Sequence, residues 1–264
     1  MEYIDIIRRQ LAAYEENRAY ALVTIADTDG SATRTQGKML VFQDGETLGT
    51  VGGGTIELLV IRAAREALES GHGGLRSFDL NNQASQQGLA CGGAMQVLIE
   101  LFGTRPTLVL SGAGHVNSAL LPLARSVGFR TILVDNRPQE LIAAQIAQAD
   151  RFVPVTDFES GLRELDIPSG AYIVIAGPNH DADGAALAAA LTKSAAYVGM
   201  IGGSKKIRAL FDKLLSRGYT QEQLDFVHTP IGLDISSERP AEIAVSILAE
   251  ILMVRNGKER PRGL

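Results

Sequence analysis

A glycine-rich turn between two apolar runs constrains the fold of this chain more than any other feature. Residues 107–110 form an apolar run of strand length, and the turn at residues 111–114 ends it. Apolar residues then recur at helical spacing up to Gly128, and a second apolar run at residues 131–134 ends on Asp135. This succession of strand, turn, helix and strand predicts a βαβ unit of the Rossmann type.

The turn has the composition expected of a phosphate-binding loop. Gly112 and Gly114 permit a tight turn and let an anion approach the amides at the helix N-terminus. Asp135 is placed to accept hydrogen bonds from a ribose, and it disfavours a 2′-phosphate, although Arg137 could partly relieve that repulsion. NAD is therefore favoured over NADP. The alternative is a crevice that holds another ligand, because the third glycine of the fingerprint is replaced by Asn117, which is expected to push the helix away.

Composition limits the class of protein. The chain of 264 residues is long enough for two domains, each with its own core. No apolar run reaches membrane-spanning length, and the first predicted helix is amphipathic rather than a signal peptide, so we expect a cytoplasmic protein without a membrane partner. A net charge of −5 with scattered basic residues offers no footprint for nucleic acid.

The order of predicted elements indicates a fold of the α/β class with two domains. We expect a smaller α+β domain over residues 1–103 and a C-terminal Rossmann-type doubly wound parallel sheet over residues 107–264, supported by a five-strand β/α alternation. The predictions that matter below are a turn at residues 28–30, a helix at residues 139–149 and a strand at residues 227–231.

Cys91 is the only cysteine of the chain, which excludes an intrachain disulfide and a zinc site built from cysteines. Gly92 and Gly93 follow it, and their amides could stabilise a thiolate. Cys91 is therefore a candidate reactive thiol or ligand. The alternative is a small buried apolar side chain.

Three successive glycines, Gly52, Gly53 and Gly54, precede a second predicted helix. They indicate either very close backbone packing or a nest of amides for an anion. Glu57 lies in the first helical turn, where it could simply complement the helix dipole.

Polar residues follow a buried strand predicted at residues 171–176. Ligands of doubly wound sheets bind at the carboxyl ends of strands, so His180 and Asp181 are expected to face the same crevice as the turn at residues 112–114. The alternative is that Asn179 or Asp181 only caps the next helix. A third glycine turn begins at Gly202, where Lys206 could steer an anion or be solvated.

These motifs, in their order and spacing, resemble the XdhC/CoxI family of accessory proteins for molybdenum hydroxylases. The matching pieces are Gly49-Thr50-Val51-Gly52-Gly53-Gly54 with Glu57, Cys91-Gly92-Gly93 with Glu100, Gly112-Ala113-Gly114-His115, His180-Asp181, Ile201-Gly202 with Lys206, and Pro230-Ile231-Gly232-Leu233 through Pro240 to Glu250. The resemblance spans nearly the whole chain.

The chain departs from the family pattern at three places. Thr55 stands where many members have cysteine, which rules out a two-cysteine scheme. Gly203 replaces the usual serine of the third glycine turn. Arg239 stands where a threonine would cap the last helix, at an expected cost of about 1 kcal/mol unless Ser236 or Ser237 substitutes.

The resemblance implies a carrier rather than a catalyst. It implies binding of the molybdenum cofactor, as molybdopterin or its dinucleotide form, with support for its sulfuration by a cysteine desulfurase and its insertion into the apo-form of a hydroxylase such as xanthine dehydrogenase. The residues expected at the cofactor are Gly52, Gly53, Gly54, Glu57, Cys91, Gly92, Gly93, Gly112, Gly114, His115, Asp135, Arg137, His180, Asp181, Gly202 and Lys206. Cys91 is the candidate sulfur relay or molybdenum ligand, and a homodimer is left open.

An oxidoreductase that uses NAD(P) in the second domain is the competing hypothesis. The sequence contains no convincing catalytic tyrosine–lysine pair, and the only proton donors that suggest themselves are His115 and His180. We therefore favour the carrier.

Overall fold

A computed structural model describes residues 3–30, 36–79, 93–236 and 238–258. The chain divides into two compact units, Met1–Thr104 and Arg105–Leu264. No helix in these described ranges is both long and apolar enough to cross a membrane.

The first unit is a five-stranded antiparallel sheet with a helix on each face. Its elements are α1 (Tyr3–Glu16), β1 (Tyr20–Gly30), β2 (Lys38–Phe42), β3 (Thr47–Thr50), α2 (Gly54–Ser70), β4 (Gly74–Asp79) and β5 (Gly93–Phe102), and the strand order is β3-β2-β1-β5-β4. Successive side chains of a strand point to opposite faces. Ala21 and Val23 of β1 accordingly pack in the core beneath α2, while Tyr20 and Leu22 pack beneath α1.

The predicted turn at residues 28–30 is wrong, because β1 continues through it. Thr28, Asp29 and Gly30 pair with β5 after a register shift between Ile25 and Asp27. The backbone hydrogen bonds of this ladder do not depend on apolar side chains, so a polar sequence can extend a strand that already has a neighbour.

The second unit is a parallel sheet of six strands, one more than the alternation predicted. Its elements are β6 (Thr107–Ser111), α3 (His115–Ser126), β7 (Arg130–Asp135), a 3₁₀ helix (Gln139–Ile142), α4 (Ala143–Ile146), β8 (Arg151–Pro154), α5 (Phe158–Glu164), β9 (Tyr172–Ile175), α6 (His180–Ala190), β10 (Tyr197–Met200), α7 (Ser204–Ser216), α8 (Gln221–Asp225), β11 (Val227–His228) and α9 (Pro240–Arg255). The strand order is β11-β10-β9-β6-β7-β8. One core lies between the sheet and α5, α6 and α7, and the other between the sheet and α3 and α9. The sheet is therefore doubly wound.

Three local predictions in this unit need correction. The helix expected at residues 139–149 is a 3₁₀ helix followed by the short α4, and Ile142 is the only buried residue of the two, so no long apolar stripe holds one continuous helix. The strand expected at residues 227–231 ends at His228, two residues before Pro230, which has no N–H for a ladder. Helix α8 was missed, although Thr220 and Gln223 form the capping box that marks its start.

The start of α9 is capped by a carboxylate rather than by a hydroxyl. Glu242 Oε2 accepts hydrogen bonds from the amides of Glu238 and Arg239, both at 3.2 Å. This replaces the threonine that Arg239 displaces, so the expected substitution by Ser236 is not needed, and Ser237 lies outside the described residues.

Candidate functional site

The strand order places a crevice at the carboxyl ends of β6 and β9. In chain order these are the first and fourth strands of the sheet, and the order reverses between them, which is where ligands bind in doubly wound sheets. The turn after β6 and the loop after β9 therefore border the same crevice.

Gly112 and Gly114 serve different ends within the turn after β6. Gly112 has φ +94°, and a Cβ on it would lie 2.5 Å from the carbonyl oxygen of Ala176, so both conformation and packing require glycine. Gly114 precedes α3 with an ordinary φ of −72°, and a Cβ there would come no nearer than 3.7 Å to that oxygen. The space beside Gly114 is open enough to admit a ligand atom.

Asn117 does not push α3 away from the strand as predicted. Its side chain is fully buried, and Nδ2 donates to the carbonyl oxygens of Ser111 and Gly112 at 3.1 and 2.7 Å. The amide therefore ties the helix to the turn, at the place where a third glycine would only permit close packing.

Asp135 ends β7 and is fully buried beside this turn. Its Oδ2 accepts the amide of Ala113 at 2.6 Å and Nη2 of Arg137 at 2.8 Å, while Oδ1 accepts the backbone amide and Nε of Arg137 at 2.8 and 2.9 Å. Burial raises the pKa of Asp135, but the hydrogen bonds from Arg137 and Ala113 outweigh it and hold the pKa below its usual value. A ribose contact stays a prediction, and it would require the Arg137 side chain to turn away.

A cleft opens between the start of α6 and the start of α7. Its volume is about 810 Å³, and it is lined by Asn179, His180, Asp183, Ile201, Gly202, Gly203, Lys205 and Lys206. The structure thus brings together His180, Gly202 and Lys206, three residues singled out from the sequence. Gly203 precedes α7 without a side-chain cap, so the glycine turn leaves the first amides of that helix to water or a ligand.

Asp181 and His115 lie outside this cleft. Asp181 lines a separate groove of about 390 Å³ along α5, α6 and α7, and His180 borders both cavities. Asn179 caps α6 by accepting the amide of Ala182 at 2.9 Å, so the cap predicted as one alternative is formed by Asn179. His115 is the exposed first residue of α3.

Asp183 is the residue of this cleft that the sequence did not indicate. It is partly buried, and its Oδ1 accepts the amide of Gly177 at 2.6 Å. Burial raises the pKa of its carboxyl above the usual value, and the Gly177 amide and the charges of His180 and Lys206 only partly oppose this effect. The Asp-x-Asp pattern at residues 181–183 was the available signal, but both acids resemble helix-dipole residues.

In the first unit, the glycines at residues 52–54 surround a carboxylate of the chain itself. Glu57 Oε2 accepts the hydroxyl of Thr50 and the amides of Val51 and Gly53, the latter two at 3.1 Å each. Burial raises the pKa of Glu57, but these hydrogen bonds outweigh it and lower the pKa. All three glycines have positive φ, and a Cβ on Gly53 or Gly54 would meet nothing within 4 Å, so conformation rather than close packing accounts for these two.

Comparison with known protein families agrees with this architecture. The model of the XdhC Rossmann domain matches residues 108–251, and that of the XdhC and CoxI family matches residues 13–79. The chain belongs to the XdhC and CoxI family. In this family member, Cys91 and Gly92 lie outside the described residues, and Gly93 begins β5 opposite Gly30. Among the described residues, no group of three His, Cys, Asp or Glu side chains could hold a metal ion.

Three relatives of this XdhC/CoxI chain are informative. It is 35% identical over 255 residues to the uncharacterized protein YqeB of Escherichia coli, covering 95% of this chain and 46% of YqeB. It is 29% identical over 159 residues to a protein of Bacillus subtilis named as a probable xanthine dehydrogenase component, covering 60% of this chain and 46% of that protein. It is 24% identical over 287 residues to the molybdenum cofactor insertion chaperone PaoD of Escherichia coli, covering 98% and 90%. The chain thus spans about half the length of the first two.

A solved structure shares the fold of this family member. The crystal structure of a protein named as a xanthine dehydrogenase from Bacillus halodurans has a TM-score of 0.52 and 20% identity, and the match covers 100% of this chain and 98% of the other. At this level of identity the similarity shows the fold alone.

Proposed function

We propose that this chain binds the molybdenum cofactor and supports its insertion into the apo-form of a molybdenum hydroxylase such as xanthine dehydrogenase. The observation that carries the proposal is the open cleft between α6 and α7, which has the volume of a small-molecule site and a basic, glycine-lined end. The similarity to PaoD, named as a molybdenum cofactor insertion chaperone, supports it because the match covers nearly the full length of both chains.

The chemistry of the cleft suits the phosphate of a pterin cofactor. Lys205 and Lys206 supply positive charge, and the uncapped amides after Gly203 supply hydrogen bonds at the positive end of the helix dipole. The open space beside Gly114 is a second place for a phosphate, which a dinucleotide form of the cofactor would need. In this proposal the residues predicted from the sequence divide between these two places and the segment around Cys91.

Sulfuration is the finer part of the proposal and rests on Cys91. A cysteine desulfurase carries a persulfide, and its outer sulfur would pass to the Cys91 thiolate, leaving the desulfurase thiolate behind. The alternative role of Cys91 is a soft ligand to molybdenum. Since no other cysteine is present, a persulfide can form nowhere else on the chain.

The test is to purify the protein from cells that make the molybdenum cofactor and to assay the released ligand for oxidised pterin, molybdenum and nicotinamide. We expect pterin and molybdenum with the wild-type protein. Cys91→Ser should keep the melting temperature but lose cofactor retention, or fail to activate an apo-hydroxylase in a reconstitution with desulfurase and cysteine. Full activation by Cys91→Ser, with Cys91→Ala behaving identically, would reduce the thiol to a packing residue.

A second candidate function is an NAD(P)-dependent oxidoreductase. The observation that favours it is the strand order, which is that of dinucleotide-binding sheets, with Asp135 at the end of the second strand. The four hydrogen bonds that already occupy Asp135 weigh against it. Nicotinamide without pterin in the released ligand would support this candidate over the carrier.

A homodimer is part of the proposal, and α1 offers a surface for it. Ile4, Ile7, Leu11 and Tyr14 are exposed on the face of α1 opposite to its buried residues, and they recur at the spacing of three and four residues that pairs helices. Pairing with a second copy of α1 would bury this stripe.

A further inference from the structure

The position of Asp183 is unusual for a cleft that binds only an anion. The carboxylate is seated against the backbone, because a Cβ at Gly177 would lie 2.7 Å from Asp183 Oδ1, and the Gly177 amide donates to that oxygen. Within the described residues, Oδ2 has no hydrogen-bond partner, and the side chain lines the cleft. One acceptor oxygen is therefore available to a ligand.

The charges around Asp183 divide the cleft into two ends. Lys205 and Lys206 lie with the uncapped start of α7, and they offer positive charge and amide donors. Asp183 lies on α6 and offers negative charge and an acceptor. A carboxylate in a site for phosphate alone would weaken binding by like-charge repulsion, so a ligand that matches the whole cleft must carry an anionic group and a donor edge.

We infer that Asp183 determines the specificity of this cleft by accepting hydrogen bonds from an amino-pyrimidinone edge, the adjacent ring N–H and exocyclic NH₂ of a pterin, while Lys206 and the start of α7 hold its phosphate. The inference rests on the proposed function and names how the ligand is oriented. A carboxylate accepts both donors of such an edge, and charge-assisted hydrogen bonds of this kind are stronger than neutral ones. Guanine presents the same edge, whereas adenine presents one donor beside one acceptor.

Burial supports this assignment. The carboxyl of Asp183 has its pKa raised because burial is only partly offset by the Gly177 amide and by His180 and Lys206. Two further donors from a ligand would stabilise the ionised form, so binding should be favoured once Asp183 is deprotonated.

The experiment compares three variants against four probes by calorimetry. The probes are neopterin monophosphate, GMP, AMP and inorganic phosphate, and the variants are Asp183→Asn, Lys206→Gln and the control Asp181→Asn. Asp181 is a carboxylate on the same helix that lines the other groove. Asparagine can still accept the Gly177 amide, but it places an NH₂ group against the donor edge.

We expect Asp183→Asn to weaken neopterin monophosphate by about 10- to 100-fold, with inorganic phosphate unchanged. The preference for neopterin monophosphate over AMP should fall at least about tenfold, because an amide matches the donor and acceptor of adenine. Lys206→Gln should weaken every phosphorylated probe and inorganic phosphate alike, and Asp181→Asn should match the wild type. A wild-type preference for GMP over neopterin monophosphate would keep the recognised edge but reassign the ligand to a guanine nucleotide.

The outcomes separate this inference from the proposed function. Equal affinity of the wild type and Asp183→Asn for neopterin monophosphate would overturn the inference and leave the proposed function standing. An equal loss for all four probes with a lower melting temperature would make Asp183 a structural residue and also overturn it. If the wild type binds no pterin phosphate, the inference and the assignment of the cofactor to this cleft both fail.

Discussion

At the scale of single residues, the two glycines of the turn after β6 can be separated by one methyl group. Gly112→Ala forces a Cβ to within 2.5 Å of the Ala176 carbonyl oxygen at φ +94°, so we expect a loss of about 2–3 kcal/mol in the free energy of unfolding. Gly114→Ala should change stability by less than about 0.5 kcal/mol but weaken ligand binding, because its Cβ fills the space beside the α3 amides.

Thermal denaturation and calorimetric titration check this pair. Equal losses of stability in the two variants would contradict the packing argument. Unchanged affinity for the molybdenum cofactor and for nucleotides in a folded Gly114→Val variant would show that no ligand approaches this turn.

Asp135 should make stability depend on pH in the acid range. Its pKa in the folded chain lies below the value of about 3.9 expected when unfolded, so its stabilisation is present above about pH 4 and is lost as the pH falls through the folded value. Asp135→Asn should cost about 1.5–3 kcal/mol at pH 7 and should flatten the decline of stability below pH 4.

Denaturant unfolding between pH 2.5 and 7 measures this dependence. Asp181→Asn, which replaces an exposed aspartate, serves as the control and should keep the wild-type decline. A decline in Asp135→Asn as steep as in the wild type would assign the acid sensitivity to other carboxylates.

At the scale of elements, the turn into α2 depends on a residue of the helix that it precedes. Glu57 accepts three hydrogen bonds from Thr50, Val51 and Gly53, and it thereby holds the glycines in their positive φ values. Glu57→Ala should lower the free energy of unfolding by about 1.5–3 kcal/mol, the range for hydrogen bonds to a charged group.

Amide hydrogen exchange gives a local readout of this prediction, because protection of the Val51 and Gly53 amides should fall in Glu57→Ala. Glu66→Ala, an exposed glutamate on the same helix, should leave both amides protected. Retained protection in Glu57→Ala would mean that the turn holds its shape without the carboxylate.

At the scale of the whole molecule, we propose that the two compact units are independently folding domains. Each has its own sheet and its own hydrophobic cores. Residues 105–264 expressed alone should unfold cooperatively and show the circular dichroism of a mixed α/β protein. A fragment that is soluble only together with residues 1–104, or that unfolds without cooperativity, would contradict this.

The sequence by itself determined most of the architecture. Periodic apolar residues and glycine punctuation predicted a Rossmann-type unit and an α+β unit, because both signals act over a few residues and are written locally. The same local rules failed where a neighbour decided the outcome. The end of β1 is polar but paired to β5, and residues 139–149 lack a buried stripe to hold one helix.

Only the tertiary structure decided which candidate residues meet. His180, Gly202 and Lys206 line one cleft, while Asp181, one residue from His180, lines another groove. Asp183 entered the site because the chain folds it onto the Gly177 amide, and Asp135 was engaged by Arg137 across the turn. Residue type and spacing give the chemistry that a side chain can offer, but the direction in which it points depends on contacts between segments far apart in the chain, and no local pattern encodes those.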